Sequence, residues 1–82
     1  MTKKRDKIEI VAKILDVCST PQNKTNIVYA CNLNFQTVGP YLALLQREKL
    51  LALKKSQFKT TNAGQEVYKR ILELYKLLGL DL

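Results

Sequence analysis

Residues 51–61, "LALKKSQFKTT", limit what this chain can fold into more than any other segment. Leu51 and Leu53 alternate with Ala52 and Lys54, and Phe58 and Thr60 alternate with Lys59 and Thr61, around a polar "KKSQ". Side chains on a strand point to opposite faces in turn, so this alternation marks two half-buried strands. The short polar link between them makes a hairpin. The link holds neither Asn-Gly nor Asp-Gly, which leaves the turn type open. A lone two-stranded hairpin is marginal in water, so its apolar face needs cover from the rest of the chain.

That cover is helical. Ile8, Val11, Leu15 and Cys18 recur at helical spacing with Ile10, Ile14 and Val17 beside them, which predicts a helix over residues 6–18 with a wide apolar face. "STPQN" then breaks the pattern as a turn. Asn23 is a natural N-cap for a short second helix over residues 24–31, with Ile27, Ala30 and Cys31 on its buried side. In the following "NLN" turn, Asn tolerates left-handed backbone angles and Leu33 plugs the angle between two helices.

Val38, Leu42 and Leu45 carry a third helix within residues 35–49, although Gly39-Pro40 lies inside it. An interior proline costs about 3 kcal/mol, whereas a proline in the first turn removes an N–H that has no helical partner anyway. Asn34 and Thr37 are both able to cap this helix. Thr37 as the effective cap brings Pro40 into the first turn, so a regular helix is expected over residues 38–49 after a tight or 3₁₀-like turn. Thr61 caps a last helix over residues 62–78, which Gly79 closes at C′. Tyr68, Ile71, Tyr75 and Leu78 recur along it as a seam, yet Val67, Leu72, Leu74 and Leu77 make the rest of it apolar too. One stripe covers the chain's own core, and the surplus argues for a partner surface.

A chain of 82 residues makes a small core, burying about 60–65% of its unfolded surface, and a dimer contact helps at this size. No apolar run approaches the roughly 20 residues that span a bilayer. The N-terminal "MTKKRDKIEI" alternates charged and apolar residues, unlike a secretory signal, so the expected location is the cytoplasm. Cys18 and Cys31, without any histidine, do not supply a four-ligand Cys/His zinc site, and both read as buried, inert thiols. No metal, cofactor or small-molecule substrate is expected. There is no glycine-rich phosphate loop, and Ser19 and Ser56 have no base nearby in sequence, so the chain does not read as an enzyme. Its charge is informative: of a net +7, residues 20–65 hold +5, with Glu48 their only acid, while residues 66–82 balance. Clustered cations of this kind suit a polyanionic partner.

Positions 25–50, "TNIVYACNLNFQTVGPYLALLQREKL", resemble the core of the winged helix-turn-helix family: a short helix, a leucine-bearing turn, then a "TV..YL..L" helix. "FKTTNAG" is similar to that family's aromatic-x-x-Thr-x-x-Gly before the closing helix, carried here by Phe58, Thr61 and Gly64, the glycine letting the helix pack closely. Over about residues 3–78 the chain resembles the small archaeal winged-helix proteins, a group that includes dimeric Sulfolobus chromatin-type DNA binders. "KKRDKIEIVAKILDVC", the "NLNF" turn and the long terminal helix carry that likeness.

The resemblance implies an α+β, mostly helical winged helix-turn-helix over residues 3–79: three helices, a short β-hairpin wing and a C-terminal helix. It implies a homodimer through helix 62–79, by way of Tyr68, Ile71, Tyr75 and Leu78, and double-stranded DNA as partner. The third helix would enter the major groove and hairpin 50–61 would rest on the backbone. The residues expected to meet DNA are Lys24, Thr25, Asn34, Gln36, Thr37, Tyr41, Arg47, Lys54, Lys55 and Lys59. Among them Asn34 and Gln36 suit adenine edges, Thr37 suits a thymine methyl or a phosphate, and the cations suit phosphates. Tyr41 is expected to pack with its hydroxyl in water, and Tyr29, Tyr68 and Tyr75 to lie in the core or a dimer contact. Lys3, Lys4 and Arg5 read as a solvated terminus rather than a DNA-grasping arm. Gly39 and Pro40 stand where relatives often place polar or basic side chains, so base discrimination is expected to be limited. A transcriptional regulator is the leading expectation. A nucleoid-associated architectural protein with little sequence preference is the alternative, and a protein-interaction module, which the +5 middle disfavours, is a third.

Overall fold

Four side chains set where the helices begin. Asp6 accepts from the Glu9 N–H at 2.8 Å, Asn23 from the Asn26 N–H at 2.8 Å, Asn34 from the Thr37 N–H at 2.7 Å, and Thr61 from the Gly64 N–H at 3.0 Å. Each satisfies a donor that the first turn of a helix leaves without an internal partner. The elements that follow, in a computed structural model that describes residues 6–81, are α1 (Lys7–Val17), α2 (Lys24–Cys31), α3 (Phe35–Arg47), β1 (Leu51–Lys54), β2 (Gln57–Thr60) and α4 (Asn62–Leu77). Lys3, Lys4 and Arg5, read as a solvated terminus, lie outside the described residues. The expected order of three helices, a hairpin and a closing helix is the observed one.

The start of α3 differs from expectation. Asn34, not Thr37, is the cap, and the helix already turns at Val38, whose N–H donates to the Asn34 carbonyl at 3.0 Å. Pro40 therefore sits inside the helix, where it removes one hydrogen bond. Two features tolerate it. Gly39 has no Cβ to clash with the proline ring. Val38, Leu42 and Leu45 are buried at 0%, 3% and 2% exposure, and each fully buried apolar side chain contributes about 1.5–3 kcal/mol. Their sum exceeds the proline cost of about 3 kcal/mol.

Three helices end alike. Asn32, Lys49 and Gly79 take left-handed backbone angles, with φ of 54°, 62° and 69°. The leucine after each donates back into its helix: Leu33 to Val28, Leu50 to Leu45 and Leu80 to Tyr75, at 3.0, 2.8 and 2.8 Å. This is the Schellman arrangement, which occupies carbonyls left open at a helix end and adds an apolar contact. At Leu33 that contact joins the core, as the "NLN" reading anticipates.

The core gathers around α1, whose Ile14, Leu15 and C-cap Cys18 are fully buried with Ile27, Cys31, Val38 and Leu45 from α2 and α3. Burial and the neighbouring Cys31 push the Cys18 thiol up to about 12, which keeps it protonated and unreactive at neutral pH. A second cluster joins Ala12 of α1 to Ile71 and Tyr75 of α4. Tyr75 donates its hydroxyl to the Asp6 carboxylate at 3.3 Å, which ties α4 to the start of α1, and Tyr68 lies near Asp16 at the other end of α1. Burial and the adjacent carboxylates raise both phenols above their ordinary range.

This packing corrects the stripe assigned to a second copy. Ile71 and Tyr75 are buried within the chain's own fold and Tyr68 packs beside them, so of that set Leu78 alone is largely exposed, at 62%. The outward apolar residues near the end of α4 are Leu72, Leu74 and Leu77, continued by Leu78 and Leu80. Tyr29, expected in the core or a dimer contact, is 79% exposed and so is not in the core.

β1 and β2 pair antiparallel with Leu51 opposite Thr60, Ala52 opposite Lys59, Leu53 opposite Phe58 and Lys54 opposite Gln57. Lys55 and Ser56 form the turn with φ of 51° and 64°, the two positive angles of a type I′ turn, reached here without Asn or Gly. A feature absent from the sequence reading anchors the hairpin. Gln22, in the segment read only as a turn, exchanges both backbone hydrogen bonds with Phe58, at 2.9 and 2.7 Å. Next to it the Thr60 N–H donates to the Cys18 carbonyl at 2.8 Å, and the buried Thr60 hydroxyl donates to the Leu15 carbonyl at 2.7 Å.

Candidate nucleic-acid interface

The register sorts the hairpin's side chains. Leu51, Phe58 and Thr60 are buried on one face, so Ala52, Lys54, Gln57 and Lys59, which alternate with them along the strands and pair with one another across the hairpin, share the opposite, outward face. Together with Lys55 and Pro21 these outward residues line one shallow depression. Lys54, Lys55 and Lys59 are thereby brought together on one face. Lys59 also reaches across to donate to the Ser19 carbonyl at 3.1 Å, which steadies its position near the segment that Gln22 ties down.

The same segment leads to the second group. Two residues after Gln22, a reach of at most about 7 Å, Lys24 begins α2. Its Nζ lies 5.8 Å from the centroid of the Phe35 ring, within cation–π range, and it is the one atom that a Cβ on Gly39 would approach, at 3.9 Å. Lys24 thus bridges the starts of α2 and α3. Thr25 stands exposed beside it.

Along α3, Gln36, Pro40, Ala43 and Arg47 are exposed at helical spacing and form its outward ridge. Gln36 makes no side-chain hydrogen bond among the described residues and is free to meet a ligand. Asn34 is committed through its Oδ1 to the cap, which leaves its amide N–H groups available. Thr37 is half-buried in the first turn, and Tyr41 is half-buried against the core, which matches its expected packing. Arg47 is separated from Lys24. It sits at the far end of α3, about 18 Å along the axis from Phe35, and pairs with Glu48 at 3.5 Å in an exposed contact worth little energetically.

Phe35 escaped the sequence reading. It falls three residues before Val38, in phase with the buried stripe, yet it is 51% exposed. Its place as the first residue after the Asn34 cap was the available signal, since a first-turn side chain projects beyond the core that the helix later covers.

A fold of this order, with a short helix, a left-handed "NLN" turn, a second helix and a cation-faced hairpin, invites comparison with known proteins. The winged helix-turn-helix profile matches residues 4–79. The chain belongs to the winged helix-turn-helix family. Two uncharacterized archaeal proteins of Methanocaldococcus jannaschii resemble it, at 29% identity over 77 residues and 30% over 79 residues. Those alignments take in 93% and 95% of this winged-helix chain, but 79% and 37% of the respective relatives, so the second relative is much the longer protein. Among solved structures, the crystal structure of Sso10a-2, a DNA-binding protein from Sulfolobus solfataricus, shares the winged-helix fold with a TM-score of 0.81. Its sequence identity is 23%, over 92% of this chain and 83% of that one.

Proposed function

We propose that this winged-helix chain binds double-stranded DNA, setting α3 in the major groove and the hairpin's lysine-bearing face on the phosphate backbone. The observation that carries this reading is the joining of two cationic groups by one backbone segment. The segment ending at Gln22 pairs with β2 beside Lys59 and then delivers Lys24 to the start of α3. Glu48 is the only acidic residue between positions 20 and 65, and it lies at the opposite end of α3. The family and the DNA-binding Sso10a-2 fold support the same reading. Thr25, Thr37 and the Asn34 amide sit near the start of α3, within the reading's contact zone. The chain works as a homodimer, formed through the apolar end of α4, on the nucleoid in the cytoplasm.

Whether it regulates transcription or organises DNA turns on the α3 ridge. A regulator needs side chains that hydrogen-bond base edges, and Gln36 is the one free amide on the ridge before Pro40 and Ala43. That composition favours the architectural role, with shallow sequence preference, over an operator-specific regulator. The test is duplex affinity measured against salt. Binding should weaken with a log–log slope of about −0.9 per phosphate neutralised. Replacing Lys54, Lys55 and Lys59 together with Gln should weaken binding to all duplexes alike and lower that slope by about 2–3. Absent or salt-independent binding refutes the reading.

A further inference from the structure

The start of α3 presents an apolar surface with a cation at its edge. Phe35 is 51% exposed, Gly39 lies one turn on without a side chain, and Pro40 and Ala43 are exposed beside it. Lys24 Nζ sits over the Phe35 ring and next to Gly39. Among the described residues, Lys24 Nζ is the only atom a Cβ placed on Gly39 would approach. α3 itself holds no acidic residue, so its own side chains do not repel a polyanion. Phe35 stands out not alone but as part of an exposed apolar surface with Pro40 and Ala43, which an apolar counterpart on a docking partner would complement. In a DNA major groove that counterpart is the C5-methyl group of thymine, which apolar side chains contact in direct readout.

We propose that Phe35 is a specificity-determining residue that packs against thymine methyl groups in the major groove, while Lys24 holds the ring and meets the neighbouring phosphate. This rests on the DNA-binding reading above and names what α3 reads: the methyl group, by contact and exclusion of water, rather than a hydrogen-bonding edge. Gly39 and Pro40 then serve the same end. Gly39 has no side chain and Pro40 only a compact ring, so neither holds the helix off the groove floor that Phe35 must reach.

The experiment compares the full chain on two duplexes of one A·T-rich sequence, the first containing thymine and the second deoxyuridine at every such position, by fluorescence anisotropy at fixed low salt. Wild type should bind the thymine duplex more tightly by about fourfold for each methyl group buried. Phe35→Ala should bind both duplexes equally and keep the wild-type salt slope, with circular dichroism confirming that the exposed site tolerates the change. Phe35→Leu, which keeps an apolar surface, should retain part of the thymine preference. Equal wild-type affinity for the two duplexes overturns the inference while leaving DNA binding intact. A thymine preference that survives in Phe35→Ala also overturns it, because DNA shape would then account for the difference. Failure of wild type to bind either duplex removes the DNA-binding reading itself.

Discussion

One missing side chain decides how closely α4 approaches the hairpin. A Cβ on Gly64 would overlap the Leu50 carbonyl oxygen and come within 2.6 Å of Thr60 Cγ2. Neither neighbour has room to retreat. Leu50 is fixed by its bond to Leu45 and by the Thr61 N–H that donates to that same carbonyl, and Thr60 is buried on α1. Gly64→Ala should therefore destabilise the fold by about 1–3 kcal/mol despite alanine's higher helix propensity, the size expected for overpacking a tight contact. Urea denaturation followed by circular dichroism measures this, and a neutral or stabilising result would mean that the approach is looser than described. The glycine's role in close packing was legible in "FKTTNAG". Periodicity alone did not show the exposure of Phe35, because it reports a residue's phase and not whether the core extends as far as its turn; only its place just after the Asn34 cap signals it.

At the level of elements, α3 shows which local preferences yield to packing. Asn34 and Thr37 offered competing caps three residues apart, and the buried Val38–Leu42–Leu45 stripe selected the earlier one at the expense of Pro40. Pro40→Ala restores the missing hydrogen bond on an exposed position and should stabilise the chain by about 1–3 kcal/mol. Thermal unfolding checks this, and a lower melting temperature would show that Pro40 contributes contacts on the ridge. The other helices were readable because each begins at an Asp, Asn or Thr cap, and α2 and α4 also end at Asn32 and Gly79, residues that tolerate a left-handed angle. The pairing of Gln22 with Phe58 was not readable, since a single bridge leaves no alternation in sequence. The type I′ turn at Lys55-Ser56 was hidden for a related reason: the strands impose it on residues that do not prefer it.

For the whole molecule, the open matter is what meets the apolar end of α4. Leu77 and Leu78 are 84% and 62% exposed, and Leu74 and Leu80 are 51% and 52% exposed. The seam through Tyr68, Ile71 and Tyr75 belongs to the chain's own core, because two apolar stripes on one helix look equivalent until α1 claims one. Sedimentation equilibrium should find wild type dimeric and the double variant Leu74→Glu, Leu77→Glu monomeric, with circular dichroism unchanged. A monomeric wild type would end the homodimer proposal.

The hairpin's attachment to the segment before α2 has a consequence for how such a chain can diverge. Main-chain bonds at Gln22, Phe58 and Thr60 hold the wing in place, with a lesser side-chain bond from Lys59 to Ser19, whereas Lys54 and Lys55 only decorate it. Mutation can thus rewrite the wing's chemistry wholesale, from phosphate-seeking to neutral or acidic, without moving it. Descendants of one scaffold could exchange a nucleic-acid client for a protein client while their backbones stay superimposable.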